Sequence, residues 1–525
     1  MDCVVGSGPS GVACAAALLR RGRRVSMLDV GLQLEPDRAA RIDELNRLQP
    51  EEWTEPQARW LSEQAGSQRV PLKLAFGSDY PYRESAEHLG LSSAGTGLKS
   101  SFAMGGLSTV WGAAMLPNVE QDCADWPFTT ERLKPHYEAC LKLTGISAEA
   151  GYLDAKLPLH TDLAGHLKLS RQASAMERML ERNGTALRDG GIHFGRSRLA
   201  VRAKRGPDDA GCVYCGMCLN GCPYGYIYSS GRTVTAFRGT EGFTYQPDTV
   251  VTAVEEKSDH VVVHAYHRLT RAPVSITADR VFLACGVVAT SGILLRSMSA
   301  YGRTLSVQDS QYFLLPAALA ARVSGVSAER LHTLSQLFIE IMDPQVSPHT
   351  VHLQVYSFNS LIGRTVRNTL GRLRSIEALA REIEGRLLIL QGYIHSSHSS
   401  QLALTLLGRP GLDRLELGPI INPEAREVVR KVVRKLRNNS LRLGAFPLSM
   451  LMEFAEPGRG FHAGGTMPMR RNPAAFETDV LGRPKGFQRV HAVDSTVLPS
   501  IAATTVTLTV MANAHRIASE AGTLG

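Results

Sequence analysis

The chain has 525 residues, which is too long for one ordinary domain and predicts two. A hydrophobic fraction of 44% with 20% charged residues is normal for a globular protein, so large cores can form. The net charge of +9 is spread along the chain without aromatic residues interleaved, so we expect a basic surface and no nucleic-acid partner.

Cysteine usage and hydropathy bear on the compartment. Nine cysteines are too few for a disulfide scaffold and are typical of reduced thiols, which predicts a cytoplasmic protein. The sequence opens with "MDCVVGSGPSG", already inside a motif, so we expect no signal peptide. No apolar run is long enough to span a membrane, and glycines interrupt the most apolar stretch, residues 281–295.

The first thirty or so residues carry a nucleotide-binding pattern. "CVVGSGPSGVACAAALLRRGRRVSMLDVG" predicts a strand, a glycine-rich turn, a helix and a second strand that ends at Asp29. The turn supplies the candidate cofactor-binding residues Gly6, Gly8, Pro9, Ser10 and Gly11. These glycines permit a tight turn, close approach of a pyrophosphate and close helix packing, and Asp29 can accept hydrogen bonds from a ribose diol. The pattern leaves FAD, NAD and a ligand-free glycine turn open.

A second pattern lies in "GCVYCGMCLNGCPYG", residues 211–225. Its spacing, C-x2-C-x2-C-x3-C-P, is that of bacterial ferredoxins. The candidate metal ligands are Cys212, Cys215, Cys218 and Cys222. Such a compact run is unsuited to zinc, and disulfides are awkward at these intervals. An iron–sulfur cluster is therefore favoured over the alternative of a metal-free loop.

The middle of the chain, residues 301–456, combines strand-like runs such as "HTVHLQVYSF" with helical ones. The clearest helix lies in "NPEAREVVRKVVRKLRNNSLRLG", with Asn422 as its N-cap and Gly444 at its end. The stretch 361–386 is also helical, although glycines weaken it, and we expect it to cover the substrate.

Three further stretches resemble signatures of the glucose–methanol–choline (GMC) oxidoreductase family. They are "FAMGGLSTVWGAAMLP" with the residues that follow it, "ADRVFLACGVVATSGILLRS", and the stretch from "FHAGGTMPM" at residue 461 to the last helix. The resemblance implies an α/β (α+β overall) fold with a Rossmann-type FAD-binding domain built from separated segments. We expect that domain at 1–300 and 457–525, and a substrate domain with a largely antiparallel sheet at 301–456.

The resemblance also assigns cofactor contacts. Those implied beyond the first turn are Gly105, Gly106, Ser108, Thr109, Val251 and Asp494. In pyranose oxidases a histidine of the "GGLSTVWG"-like motif is bonded to the flavin, and Val110 takes that position here. We therefore expect non-covalent FAD.

The catalytic residues implied by the resemblance lie near the end of the chain. His462 opens an H-x-x-G-T pattern whose histidine faces the flavin, and a neutral imidazole can accept the substrate's hydroxyl proton. The family's second residue, a His or Asn, is replaced by Thr505, which can hydrogen-bond a hydroxyl but cannot act as a base. The proton-accepting role therefore falls on His462 alone.

The function implied is oxidation of a CH–OH group of a sugar or related polyol by hydride transfer to FAD. A 4Fe–4S or 3Fe–4S cluster on the cysteine run would take electrons singly from FAD to an acceptor protein, which predicts a dehydrogenase. Two alternatives remain, an NAD-dependent dehydrogenase and an electron-transfer protein whose catalytic site has decayed.

Overall fold

A computed structural model describes residues 1–62, 72–162, 164–204, 209–370 and 377–522. Its helices are α1 Pro9–Arg20, α2 Pro36–Leu45, α3 Glu55–Ser62, α4 Ser85–Leu89, α5 Lys134–Thr144, α6 Arg171–Arg182, α7 Gly184–Asp189, α8 Ser230–Phe237, α9 Val287–Ser297, α10 Ser360–Leu370, α11 Glu377–Arg386, α12 Glu424–Asn438, α13 Ser440–Leu443 and α14 Val506–Glu520.

The strands are β1 Asp2–Val5, β2 Val25–Leu28, β3 Leu91–Ser93, β4 Ile192–Arg196, β5 Phe243–Gln246, β6 Thr249–Glu256, β7 Val261–His267, β8 Pro273–Ala278, β9 Arg280–Leu283, β10 Thr304–Asp309, β11 Tyr312–Leu319, β12 Leu337–Ile341, β13 Val351–Ser357, β14 Leu387–Tyr393, β15 Gln401–Arg409, β16 Leu412–Ile420, β17 Ala445–Pro447, β18 Glu453–Phe454, β19 Ala463–Gly464 and β20 Val490–Ala492.

A five-stranded parallel sheet forms the nucleotide-binding layer, in the order β20-β9-β1-β2-β5. Its central strands β9, β1 and β2 are buried along almost their whole length, which explains why they read as short apolar runs rather than alternating ones. The helices α1 and α14 pack against each other beside this sheet. Strands from both ends and the middle of the chain meet here, as expected of a Rossmann-type layer built from separated segments.

The second layer is a seven-stranded antiparallel sheet, in the order β17-β11-β14-β13-β12-β4 with β18 paired to β11. One face is apolar and packs on α6 and α12 in a separate hydrophobic core. Its edge strand β4 comes from the part of the chain assigned to the FAD-binding domain, so this sheet also draws on distant segments. The domain boundaries given above stay a prediction.

Two smaller sheets complete the fold. One has the order β19-β10-β15-β16-β3, and the other is the meander β6-β7-β8. The strand β19 follows His462 directly, so the candidate base is held where this sheet begins. None of the helices in the described ranges has the length and apolarity needed to cross a lipid bilayer.

The helix predicted after Asn422 is present as α12. Its buried residues include Val428, Val429, Val432 and Leu436, which recur at the helical period. The side chain of Asn422 accepts a hydrogen bond from the Glu424 amide at 3.0 Å, and Gly444 ends the following turn with a left-handed φ of 68°. The helix predicted over 361–386 corresponds to α10 and α11, while 371–376 lie outside the described residues.

A glycine in the antiparallel sheet offers a test of this packing. Gly392 lies opposite the fully buried Phe313, and a Cβ added to it would lie 2.2 Å from the ring. Because the ring would have to move in a closed core, we expect Gly392→Ala to lower the free energy of unfolding by about 1–3 kcal/mol in chemical denaturation. In the control Gly418→Ala the new Cβ meets nothing within 4 Å. Equal unfolding midpoints for the two variants would contradict this packing.

Candidate active site

The carboxyl ends of the parallel strands bring the predicted cofactor residues together. Gly6 follows β1, Asp29 follows β2, Gly286 follows β9 and Asp494 follows β20. Since the strands are parallel, these residues meet at one edge of the sheet, beside the point where the strand order reverses. A cavity of about 220 Å³ opens there, and all four residues line it. This sheet-edge cavity is the candidate cofactor site.

The glycine turn has the geometry that a pyrophosphate requires. A Cβ on Gly6, whose φ is +98°, would lie 2.6 Å from the Ala284 carbonyl oxygen. A Cβ on Gly11 would lie 2.0 Å from the Gly6 carbonyl oxygen. Gly8 differs, because its Cβ would meet nothing within 4 Å, and Gly8 lines the cavity with Pro9 and Ser10. The outer glycines are therefore required by packing, and the middle one leaves the backbone open to a ligand.

Asp29 is held firmly at the cavity wall. Its carboxylate accepts hydrogen bonds from the hydroxyls of Ser7 and of Tyr245, the latter at 2.9 Å. Burial raises the pKa of Asp29 to about 6, although these hydrogen bonds oppose the shift. The carboxyl group is thus oriented before any ligand arrives, as a contact to a ribose diol requires.

The loop of the family motif docks onto the glycine turn. The Gly105 amide donates to the Ser7 hydroxyl at 2.8 Å. The Ser108 hydroxyl donates to the Gly105 carbonyl at 2.6 Å, and the Thr109 hydroxyl donates to Gly106 at 2.8 Å. Of the four predicted contacts in this loop, Gly106 lines the cavity, and the two hydroxyls are used to shape the loop behind it.

The two remaining predicted contacts, Val251 and Asp494, line the cavity. Val251 does so from β6. The Asp494 carboxylate accepts hydrogen bonds from the Gly286 amide at 2.8 Å, the Thr290 hydroxyl at 2.5 Å and the Thr496 amide at 2.9 Å. Asp494 therefore shapes the cavity by fixing the turn before α9.

His462 lies between the sheet-edge cavity and the antiparallel sheet. Its neighbours Phe461 and Ala463 line the cavity. Its carbonyl oxygen accepts a hydrogen bond from the Ser310 amide at 2.9 Å. The imidazole stacks on the ring of Tyr393, with centroids 4.7 Å apart and planes at 21°. These contacts fix both the backbone and the ring plane of the candidate base.

The environment of His462 keeps its imidazole neutral. Burial, with a smaller contribution from His352, lowers the pKa of His462 to about 4. The residue as a whole is nevertheless partly exposed. Its Nδ1 atom is buried and has no hydrogen-bond partner among the described residues. A neutral ring with a free nitrogen can accept a proton.

Thr505 has a structural contact that the sequence does not reveal. Its hydroxyl oxygen accepts a hydrogen bond from the Leu116 amide at 3.0 Å, so it ties the start of α14 to the loop after the flavin motif. The next two residues, Val506 and Thr507, line the cavity. A catalytic role for Thr505 stays a prediction.

The sequence analysis missed a polar row on the antiparallel sheet. Its members are Glu340, His352 and Gln354, which are buried, and Tyr356, which is partly exposed. The Nδ1 atom of His352 lies 2.7 Å from a carboxylate oxygen of Glu340, and both side chains are fully buried. The signal was present in "VHLQVYS", where polar and apolar residues alternate. This alternation places the polar side chains together on the face of the strand opposite the apolar core.

The cysteine run does not form the ligand set predicted for Cys212, Cys215, Cys218 and Cys222. Within the described ranges, which include all four, no group of three His, Cys, Asp or Glu side chains is placed to hold a metal ion. Burial raises the pKa of Cys212 to about 12 and also raises that of Cys215 and Cys218. The Cys222 sulfur instead accepts a hydrogen bond from the Tyr226 amide at 3.2 Å.

Two known proteins resemble this chain over nearly its whole length. No family model matches the chain. The 6'''-hydroxyparomomycin C oxidase of Streptomyces lividus is 23% identical over 550 residues, covering 98% of this chain and 90% of the relative. The crystal structure of pyridoxine 4-oxidase from Mesorbium loti matches with a TM-score of 0.61 and 17% identity, over 99% of this chain and 98% of that chain. Because both matches span nearly the whole chain, the predicted fold is confirmed, and the chain has the fold of the GMC oxidoreductases.

Proposed function

We propose that the protein is an FAD-dependent oxidoreductase that oxidises a CH–OH group of a sugar or related polyol, with His462 as the base. One observation carries the proposal. A single short segment places the neutral imidazole of His462 between two residues that line the sheet-edge cavity. The glycine turn and the candidate base, which lie at opposite ends of the chain, thereby serve one site.

The residues at the cavity fit FAD. Gly8 would approach the pyrophosphate, Asp29 would accept hydrogen bonds from the ribose, and Val251 would contact the adenine. Bound there, FAD would supply an acceptor for the hydride of the carbinol carbon. Val110 offers only a hydrocarbon side chain at the position of the flavin-linking histidine, so the cofactor would be held without a covalent bond.

His462 would take the hydroxyl proton while the C–H bond breaks. Its lowered pKa means that nearly every molecule holds a neutral imidazole at neutral pH, so no proton has to leave before the reaction. Stacking on Tyr393 restricts rotation of the ring and keeps its nitrogens in one direction. The Thr505 hydroxyl, already engaged by Leu116, would not compete for the proton.

The names of the relatives bear on the substrate and on the electron acceptor. Both matched proteins are named as oxidases, one of a hydroxylated paromomycin and one of pyridoxine. This favours dioxygen as acceptor over the acceptor protein expected from a cluster. Oxygen-electrode recordings with paromomycin, pyridoxine and a panel of sugars, beside dye-reduction assays, test both points.

Loss of the Asp29 carboxylate should weaken FAD binding. Asp29→Ala removes charge-assisted hydrogen bonds worth about 1.5–3 kcal/mol, so we expect about ten- to a hundredfold weaker FAD binding in equilibrium dialysis. Asp259→Ala is the control, because that carboxylate is exposed and pairs with its neighbour His260. Equal FAD retention in the two variants would remove Asp29 from the site.

Removal of the candidate base should separate binding from chemistry. We expect His462→Ala to retain FAD while anaerobic stopped-flow shows flavin reduction slowed by about 10²–10⁴-fold. His264→Ala serves as the control, because His264 is exposed on the meander far along the chain from the motif. Unchanged single-turnover reduction in His462→Ala would falsify the assignment.

The pH dependence follows from the lowered pKa of His462. Burial disfavours the charged imidazolium, so the neutral base persists as the pH falls and is lost only near its pKa of about 4. We expect the rate of flavin reduction to be constant from about pH 8 to 5 and to fall below that range. Circular dichroism at each pH checks that the fold is intact. A descending limb centred near the ordinary histidine pKa of about 6.5 would contradict this environment.

A further inference from the structure

One face of the antiparallel sheet is polar and turns toward the proposed site. Glu340 lies opposite His352 in register, and Gln354 lies opposite Gln391. Residues directly opposite on antiparallel strands share a face, so these side chains form one continuous surface with Tyr356. The other face is the apolar one that packs on α6 and α12.

Two contacts show where the polar face points. Tyr393, on the same face, stacks on the imidazole of His462. At the other side, the Tyr356 hydroxyl lies 3.8 Å from where a Cβ of Gly112 would be, in the loop of the flavin motif. Gly112 is exposed and Tyr356 is partly exposed, although burial raises the pKa of Tyr356. Both residues therefore keep part of their surface uncovered, and they lie where the polar row meets the loop of the flavin motif.

Hydrogen bonds join the row into a chain, and the amide of Gln354 fixes its direction. The Gln354 amide nitrogen only donates, so the Nε2 atom of His352 accepts from it at 3.2 Å. The Nδ1 atom of the same ring then carries a proton and donates to Glu340 at 2.7 Å.

The last hydrogen bond of the row joins Tyr356 to Gln354. Since the amide nitrogen of Gln354 faces His352, its oxygen faces Tyr356 and accepts the phenol proton at 2.8 Å. Tyr356 therefore donates its only hydroxyl proton to Gln354. The lone pairs of the phenol oxygen carry no proton, so toward any further partner this oxygen accepts hydrogen bonds.

We propose that Tyr356 binds a hydroxyl group of the substrate next to the CH–OH group that reacts, and that Gln354, His352 and Glu340 position it as an acceptor. This inference rests on the proposed function and adds to it the reason for a polyhydroxylated substrate. A site built to accept a hydrogen bond rejects an analogue that lacks the donor, because the buried acceptor is then left unpaired.

Two probes of the same shape test the proposal. Methyl α-D-glucopyranoside and cyclohexylmethanol both carry a hydroxymethyl group on a six-membered ring, and only the first has ring hydroxyls. We expect the wild-type holoenzyme to have a higher kcat/KM for the glucoside than for cyclohexylmethanol. Tyr356→Phe should reduce this ratio about three- to tenfold by raising the KM for the glucoside. The rate with cyclohexylmethanol should not change. Tyr152→Phe, on the surface, is the matched control.

A binding measurement separates this role from a general loss of activity. Calorimetric titration of the glucoside into anaerobic His462→Ala holoenzyme should show binding that weakens by the same factor when Tyr356→Phe is added. Retained affinity in the double variant would overturn the proposal.

The positioning role of Glu340 has its own readout. Glu340→Leu removes the acceptor that orients His352, so it should reduce the preference for the glucoside as Tyr356→Phe does, with no further loss when both changes are combined. Glu340→Gln keeps an acceptor oxygen and should restore most of the preference. If Glu340 had a purely structural role, each variant would lower kcat/KM equally for both probes.

The outcomes also distinguish a failure of the role proposed for Tyr356 from a failure of the proposed function. A wild-type enzyme that oxidises both probes equally well overturns the role of Tyr356 and leaves the proposed function intact. A wild-type enzyme whose flavin is reduced by neither probe, nor by the wider panel of alcohols, overturns the proposed function and the role of Tyr356 with it.

Discussion

The carboxylate of Asp494 connects the end of the chain to its beginning. It receives hydrogen bonds from the turn before α9 and from its own following turn, while β20 pairs with β9 and β9 pairs with β1. Through this arrangement the last strand and the glycine turn share one sheet edge. Every part of the proposed site, from the cofactor cradle to the candidate base, depends on that shared edge.

Burial then sets the chemistry of the site. The interior disfavours charge, so it keeps His462 neutral and raises the pKa of Asp29. The same interior strengthens hydrogen bonds that are made and penalises those that are missing. In the proposed site, the polar row on the antiparallel sheet would therefore select among substrates as well as bind them. Neutral acceptor groups suit a substrate that brings many hydroxyl donors.

Features encoded by short stretches of chain could be predicted from the sequence. The glycine turn, the strand before it and Asp29 lie within thirty or so residues, and each is recognised by its spacing. The helix α12 was equally readable, because its stripe of valines follows the helical period. His462 came from a motif resemblance and not from its surroundings. The residues on which its pKa depends are distant in sequence.

The polar row could not be found in the same way, because it depends on strand register. Glu340 meets His352 only through the pairing of β12 with β13, and no local pattern gives that register. The cysteine run shows the reverse problem. Its spacing is local and complete, but spacing alone does not decide whether the backbone gathers the four sulfurs, and the described loop does not gather them.

The interleaving of the two sheets has a consequence for biosynthesis. The parallel sheet takes its last strand, β20, from residues 490–492, and the antiparallel sheet takes its edge strand, β4, from residues 192–196. Neither layer can close on a growing nascent chain until most of it has left the ribosome. The open edge of β9 must wait unpaired during that time, a state prone to aggregation. The topology that brings the two ends of the chain to one site therefore keeps this strand edge exposed until the last part of the chain is made.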